Sequence, residues 1–284
     1  MQKQNILQRI KEHRGRFSKQ HAKIAAYLMD NYEKAAFMSA TQLAREVGVS
    51  QPTVIRFSQF LGFSQYSAFI ERIQALLKER LTSTERLRLS LGKNSKKNNS
   101  EFDIIVQEIC TLDLLVKSFP SQPFENLVEQ ICRSHQVFII GTRGSAALAQ
   151  YFSYFLGKVK RNVSAVTSGE TAVYDRLLSF SEKDLLIAIA FPRYPRETLD
   201  IVRFCRKREG AICGITDRID SPLVELSDIS ITIPVTFSTI FDSYCSALCL
   251  FNMIVTRVGK ANREESETLA KEFEELAKSV GIFI

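Results

Sequence analysis

The sequence predicts two unlike halves: an all-α N-terminal domain, then an α/β C-terminal domain built on a five-stranded parallel sheet. Three observations predict them. Through residues 1–80, apolar residues recur at helical spacing. From Thr82 to Ser100 the run TSTERLRLSLGKNSKKNNS turns polar, basic and rich in Asn and Ser, the composition of a linker that cannot bury a core. From Glu101 onward, short β-branched runs alternate with helices, the pattern of a parallel sheet covered on both faces. The expected division is a helical domain over 1–80, a linker over 81–105 and an α/β domain over 106–284.

Ile6, Leu7 and Ile10 mark a first helix, and Phe17 leads into a second through His21, Ile24, Ala25 and Leu28. Thr41–Val47 reads as a short helix with Leu43, Ala44 and Val47 as its apolar positions. Gly48 then supplies positive φ where the helix stops, and Val49 can plug the turn into the core. Ser50 is placed to cap a second helix, with Pro52 in its first turn, where a missing N–H costs nothing. Val54, Phe57 and Leu61 form one buried stripe, which leaves Ser50, Gln51, Thr53, Arg56 and Gln59 facing outward. Two helices joined by a Gly turn, the second exposing short polar residues near its start, make a helix-turn-helix. Tyr66–Leu81 continues as an amphipathic helix, completing a bundle of about five.

Charge supports a reader of nucleic acid in the front of the chain. Residues 1–100 carry 18 Lys and Arg against 7 Asp and Glu, a net of +11, while the remainder carries 20 against 24, a net of −4. A basic front joined to a mildly acidic back is the footprint of a protein whose front alone touches phosphates. No apolar run is long enough to span a bilayer and the first residues are charged, so no membrane partner and a cytoplasmic location are expected. Six cysteines lie mostly in apolar stretches without a CxxC pair, and they read as buried reduced thiols. Cys245 and Cys249 are four apart, but only His13, His21 and His135 exist as imidazoles and none has finger-like spacing. Neither a metal nor a cofactor is expected.

In the back half, Phe102–Phe119 and Phe124–Ser134 look helical. Strands are expected at Gln136–Gly141, Asn162–Val166, Asp184–Ala190, Ala211–Thr216 and Ile229–Ile233. Helices are expected at Ser145–Leu156, Thr198–Arg208, Ser243–Val258 and Glu264–Val280. Ser243–Val258 is apolar nearly all round, which suggests burial against both the sheet and a second subunit. Ligands of such sheets sit at the carboxyl ends of the strands. There, FIIGTRGSAALAQYF places Thr142, Gly144 and Ser145 at a helix N-terminus, where backbone N–H groups and a hydroxyl suit an anion; a plain tight turn is an equal reading.

The run ATQLAREVGVSQPTVIRFSQFLGFSQYSAF resembles the DNA-binding domain of the RpiR/MurR transcriptional regulators. The matching positions are Val49, Ser50, Thr53, Val54, Arg56, Phe57, Leu61, Gly62 and Phe63. Residues 125–258, including GITDRIDSPLVELSDISITIPV at Gly214–Val235, resemble a sugar isomerase (SIS) domain, which such regulators carry behind the helix-turn-helix. The resemblance implies a three-layer αβα sandwich that binds a small effector and pairs subunits, so the partners expected are operator DNA, an anionic metabolite and further copies of the chain, as a dimer or tetramer. In one respect the chain departs from that family, whose second phosphate loop reads Ser-x-Ser-Gly-x-Thr. The positions here are Ala190, Phe191, Pro192, Arg193, Tyr194 and Pro195. The loop FPRYPRET offers Arg193, Tyr194 and Arg196 instead of hydroxyls, and a guanidinium binds carboxylate or phosphate bidentately. Expected effector contacts are therefore Thr142, Ser145, Arg193, Tyr194 and Arg196.

The competing reading is a phosphosugar isomerase or lyase with an appended helical domain. Isomerisation through an enediol needs a positioned general base, for which Glu170 and Glu197 are the candidates. With the loop hydroxyls absent, catalysis is the weaker reading, and no catalytic residue is assigned. A third reading, a DNA-binding protein whose back half only dimerises, predicts that no metabolite shifts its thermal stability.

Overall fold

The computed structural model describes residues 6–80, 84–85, 101–237 and 241–282. The chain forms two compact units, Met1–Arg86 and Leu87–Ile284, each described by itself. Of the segment expected as a linker, residues 81–83 and 86–100 lie outside the described residues, including Lys93, Lys96 and Lys97. Its last five residues, 101–105, are helical and belong to the helix expected from Phe102 onward.

The first unit contains α1 (Ile6–Glu12), α2 (Lys19–Ala35), α3 (Ala40–Val47), α4 (Gln51–Phe60) and α5 (Tyr66–Arg80). Its core gathers Ile10, Ile24, Leu28, Leu43, Val54, Phe57, Leu61, Phe69, Ile73 and Leu77, all fully buried or nearly so. Local chemistry sets the helix ends. Ser39 starts α3 with a capping box: its hydroxyl accepts from Gln42 N while Gln42 Oε1 accepts from Ser39 N. Gly48 ends it at φ 71°, a conformation that favours glycine. Ser50 then caps α4, with Pro52 in the first turn as expected. The loop between α2 and α3 is pinned from α5, where Tyr66 Oη donates to Met38 O at 3.0 Å and Gln74 Nε2 donates to Ala36 O at 2.8 Å. The result holds α4 rigidly by its apolar stripe and leaves its other face in solvent.

The second unit begins with α6 (Glu101–Lys117) and α7 (Ser121–Arg133). There follow β1 (Val137–Ile140), α8 (Gly144–Leu156), β2 (Val163–Val166), α9 (Ala172–Arg176), β3 (Leu185–Ile189), α10 (Arg196–Arg206), β4 (Ala211–Thr216) and β5 (Ile229–Thr232). The chain closes with a small hairpin, β6 (Thr236–Phe237) and β7 (Asp242–Ser243), then α11 (Cys245–Ala261) and α12 (Arg263–Val280). The five main strands are all parallel, in the order β2-β1-β3-β4-β5.

Alternation along the strands makes the layers. Val137, Ile139, Leu185, Ile187 and Ile189 pack into one cluster with Val128, Phe152, Phe251 and Ile254 of α7, α8 and α11. Phe138, Ile140, Leu186 and Ala188 pack into another with Val173 of α9 and Ile201, Val202 and Cys205 of α10. Both faces are covered, so β1 and β3 are buried throughout and read as continuous apolar runs. The expected αβα layering is present. On helix α11, Leu250, Phe251 and Ile254 face the core, while Met253 is exposed.

Among the described residues, no helix is long and apolar enough to cross a membrane. Cys205 and Cys213 are buried, and burial pushes the thiol of Cys205 up to about 12 and raises that of Cys213. Cys110 is exposed, against expectation, because it lies on the solvent side of α6.

Candidate functional site: a reading helix and a two-arginine crevice

On the first unit, α4 presents Ser50, Gln51, Arg56 and Gln59 to solvent, with Thr53 half-buried. Ser50 and Thr53 are partly committed to the cap. Their hydroxyls lie 2.7 Å apart and Ser50 Oγ also accepts from Thr53 N, so these two fix the start of the helix. Gln51, Arg56 and Gln59 are the long polar side chains left on the exposed face. Behind them Phe57 packs against Phe17 and His21 at 5.4 and 5.5 Å between ring centres. Partial burial, and then the nearby Arg56 charge, hold the His21 imidazole below its ordinary value. His21 is thus a neutral packing group at pH 7.

In the second unit the sheet's direction of winding reverses between β1 and β3. From β1 the chain passes through α8 on one face to β2 at one edge; from β3 it passes through α10 on the other face to β4. Two successive loops part there, and the space above them is where open parallel sheets hold ligands. The segment after β1 carries Thr142 and Arg143, then Gly144 and Ser145 in the first turn of α8; the loop after β3 carries Phe191 to Pro195.

Two of the expected residues, Thr142 and Ser145, are buried at the end of β1. Thr142 and Thr198 are buried, with their hydroxyls 2.9 Å apart, and tie the β1 loop to the start of α10. Ser145 is buried in the first turn of α8, its N–H donating to Thr142 O at 3.1 Å. Arg193 is exposed and has φ 72°. That is the position where the resembled family has glycine, so an arginine now occupies backbone that glycine adopts freely. Tyr194 is half-buried and its phenol donates to Asp217 Oδ1 at 2.7 Å, fastening the β3 loop to the end of β4. Arg196 starts α10 fully exposed and pairs with Asp200 one turn on at 3.3 Å. Thr142, Ser145, Arg193 and Tyr194 thus follow the carboxyl ends of the neighbouring strands β1 and β3, while Arg196 is engaged along its own helix.

Three residues of this crevice escape the sequence reading. Arg143 has φ 53° and ψ −124°, a region left almost entirely to glycine, and its guanidinium lies 3.5 Å from Glu197 Oε1. Tyr244 stands over the start of α8, with Oη 3.5 Å from the place a Cβ on Gly144 would take, and packs at a tilt against Phe191 at 5.1 Å between centres. Asp217 holds Tyr194. Of the three, only Arg143 lies in a stretch the sequence singles out, FIIGTRGSAALAQYF, and that stretch reads equally as a plain tight turn. At the opposite, amino edge of the sheet, a hollow of about 610 Å³ is lined by Gln130, Glu182, Arg206, Glu209 and Asp228 among others. Its lone arginine is bonded to Asp228, so it presents net negative charge and lies away from the strands' carboxyl ends.

Among the described residues, no three His, Cys, Asp or Glu side chains group as metal ligands would. Residues 4–79 match the model of the helix-turn-helix domain of the rpiR family, and residues 130–257 match that of the SIS domain. Among solved structures, the NanR protein of Vibrio vulnificus, complexed with ManNAc-6P, is similar over 97% of this chain and 99% of its own, at 20% identity and a TM-score of 0.61. The sugar isomerase domain of an RpiR transcription factor from Sphaerobacter thermophilus matches 63% of this chain and 99% of its own, at 20% identity and a TM-score of 0.60. A protein of Escherichia coli CFT073 matches 62% of this chain and 99% of its own, at 18% identity and a TM-score of 0.53. At these identities the structural likenesses speak for the fold, whereas the two family models cover both halves in the order that defines one group of regulators. The chain belongs to the RpiR family of transcriptional regulators, with an N-terminal helix-turn-helix and a C-terminal SIS domain.

Proposed function

We propose that this protein is a cytoplasmic, homo-oligomeric regulator that binds operator DNA through α4 and alters that binding when a small anionic metabolite enters the β1/β3 crevice. Residues 1–80 act as the reader, 81–105 join the halves and 106–284 sense and pair. The observation that carries this is the presence, in one chain, of a rigid helix exposing Gln51, Arg56 and Gln59 and of a strand-end crevice supplied with arginines on both flanking loops. The ManNAc-6P bound by the similar NanR protein favours a sugar phosphate or a related anion. Catalysis is the weaker reading, since one of the two candidate bases, Glu197, is engaged by Arg143.

Arg193 is the residue we assign to the ligand's charge, beside the hydroxyls of Thr142 and Ser145. A left-handed non-glycine residue costs about 1–2 kcal/mol, and glycine's freedom in the unfolded chain takes back about 0.4–1 kcal/mol. Arg193→Gly should therefore leave stability within about 1 kcal/mol of the parent while removing the guanidinium. Thermal denaturation without ligand checks the first half; loss of the ligand-induced rise in Tm checks the second.

Besides the exposed side of α11, which the sequence already suggests for a second subunit, pairing of two copies is expected to use α6. Phe102, Ile105, Ile109 and Val116 recur at three, four and seven residues and are all exposed, Val116 at 77%. An exposed apolar stripe of this kind marks an interaction surface. Light scattering should give at least twice the 32.3 kDa chain mass, and Ile109→Asp with Val116→Asp should reduce it to one chain. A single-chain mass for the parent at micromolar concentration contradicts the pairing.

A further inference from the structure

We propose that Arg143 is a second anion-binding group of the crevice and that Glu197 is its built-in competitor, a carboxylate that an incoming phosphoryl or dicarboxylate dianion displaces. The inference deepens the effector reading above and rests on it.

Three observations lead to it. The first is strain. Arg143, with φ 53° and ψ −124°, and Arg193, with φ 72°, both hold backbone that suits glycine, and they stand on the two loops flanking the β1/β3 crevice. Strained residues cluster where a ligand is clamped, because the surroundings must hold them against their preference. An arginine at such a point serves its charge, since the conformation itself would be easier without it.

The second is the identity of Arg143's partner. Glu197 Oε1 approaches Arg143 Nη2 at 3.5 Å from the second residue of α10, so the pair joins the loop after β1 to the start of α10. Both side chains are substantially exposed, 76% for Arg143 and 43% for Glu197. Exposed pairs of this kind contribute about 0.2–1 kcal/mol, too little to keep out a ligand whose anion makes charge-assisted bonds to the same guanidinium. The contact is weak enough to yield.

The third is what lies behind Glu197. Its Cβ and Cγ sit 2.7 Å from the place a Cβ on Gly169 would take, so the loop after β2 is packed directly against this side chain. That loop therefore borders the side chain whose position an anion at Arg143 would change. Displacement is thereby coupled to a third strand end, as an effector contact that differs between two states requires. The ligand class follows. With Arg143 and Arg193 as donors and hydroxyls below them, the crevice selects a small molecule with a doubly charged anionic head over a neutral sugar.

The test uses the full chain and inorganic phosphate as probe, titrated calorimetrically at constant ionic strength. Glu197→Gln keeps the side chain's size and removes its charge; Arg143→Gly removes the guanidinium and relieves its backbone. Phosphate should bind Glu197→Gln about two- to fivefold more tightly than the parent, the factor that corresponds to an exposed ion pair. It should bind Arg143→Gly about tenfold more weakly, and in the double variant Glu197→Gln should bring no gain. If the parent binds phosphate and neither single substitution alters its affinity, the competitor assignment is wrong while the effector reading stands. If neither the parent nor Glu197→Gln binds phosphate, both fall. Succinate run in parallel distinguishes a carboxylate preference from a phosphoryl one.

Discussion

Arg56→Ala should weaken operator binding more than any other exposed substitution in the reading domain. Arg56 is the one cation on the exposed face of α4, a helix whose buried stripe of Val54, Phe57 and Leu61 leaves it no freedom to rotate. A bidentate arginine–guanine contact discriminates by about 1–3 kcal/mol. In a two-fold pair of subunits the loss counts twice, about 2–6 kcal/mol across a symmetric site. Specificity at the contacted position should relax with it. If Arg56 meets a phosphate instead, affinity falls evenly across sequences and the salt slope drops by about one per subunit. Fluorescence anisotropy on operator and scrambled duplexes separates these. Unchanged affinity and unchanged site preference remove Arg56 from the interface.

Phe57→Ala should have the largest effect on stability. The ring is fully buried, lies 6.1 Å from Phe69 and 5.4 Å from Phe17 between centres, and joins α2, α4 and α5. Deleting a buried phenyl costs about 3–5 kcal/mol, against a total of about 5–15 kcal/mol for a domain of ordinary size. The first unit should then be largely unfolded at 37 °C and DNA binding lost, although the side chain itself faces no ligand. Phosphate binding by the second unit should survive, which a calorimetric titration of the same variant will show. A urea midpoint equal to the parent's contradicts the packing described.

Most of the fold was legible in the sequence because its signals are local. The five strands fall within one or two residues of their expected ends, since buried parallel strands write themselves as unbroken apolar runs bounded by turns. Gly48, Ser50 and Pro52 do what their types dictate. The misplaced start of α11 has a tertiary cause: Ser243, read as the first helical residue, instead pairs with Thr236 in a small hairpin, beside Asp242 on Phe237. The crevice was half legible. Thr142, Ser145, Arg193 and Tyr194 could be listed from strand ends and the altered loop. That Tyr194 would be spent on Asp217, 23 residues away, or Glu197 on Arg143, 54 away, depends on how neighbouring loops meet in space. Periodicity carries no record of such pairs.

Charge in the crevice governs the grip on DNA in the mechanism proposed above. The measurement that reaches this most directly is operator affinity, with DNA from the flanks of the protein's own gene, across a panel of pentose, hexose and amino-sugar phosphates for the parent and Arg193→Gly. At least one phosphate should change the parent's affinity by about five- to 150-fold, the usual span of allosteric coupling. Arg193→Gly should bind the same DNA as tightly as the unliganded parent and respond to none of them. An undiminished response in Arg193→Gly, or no response to any anion in the parent, would contradict this mechanism.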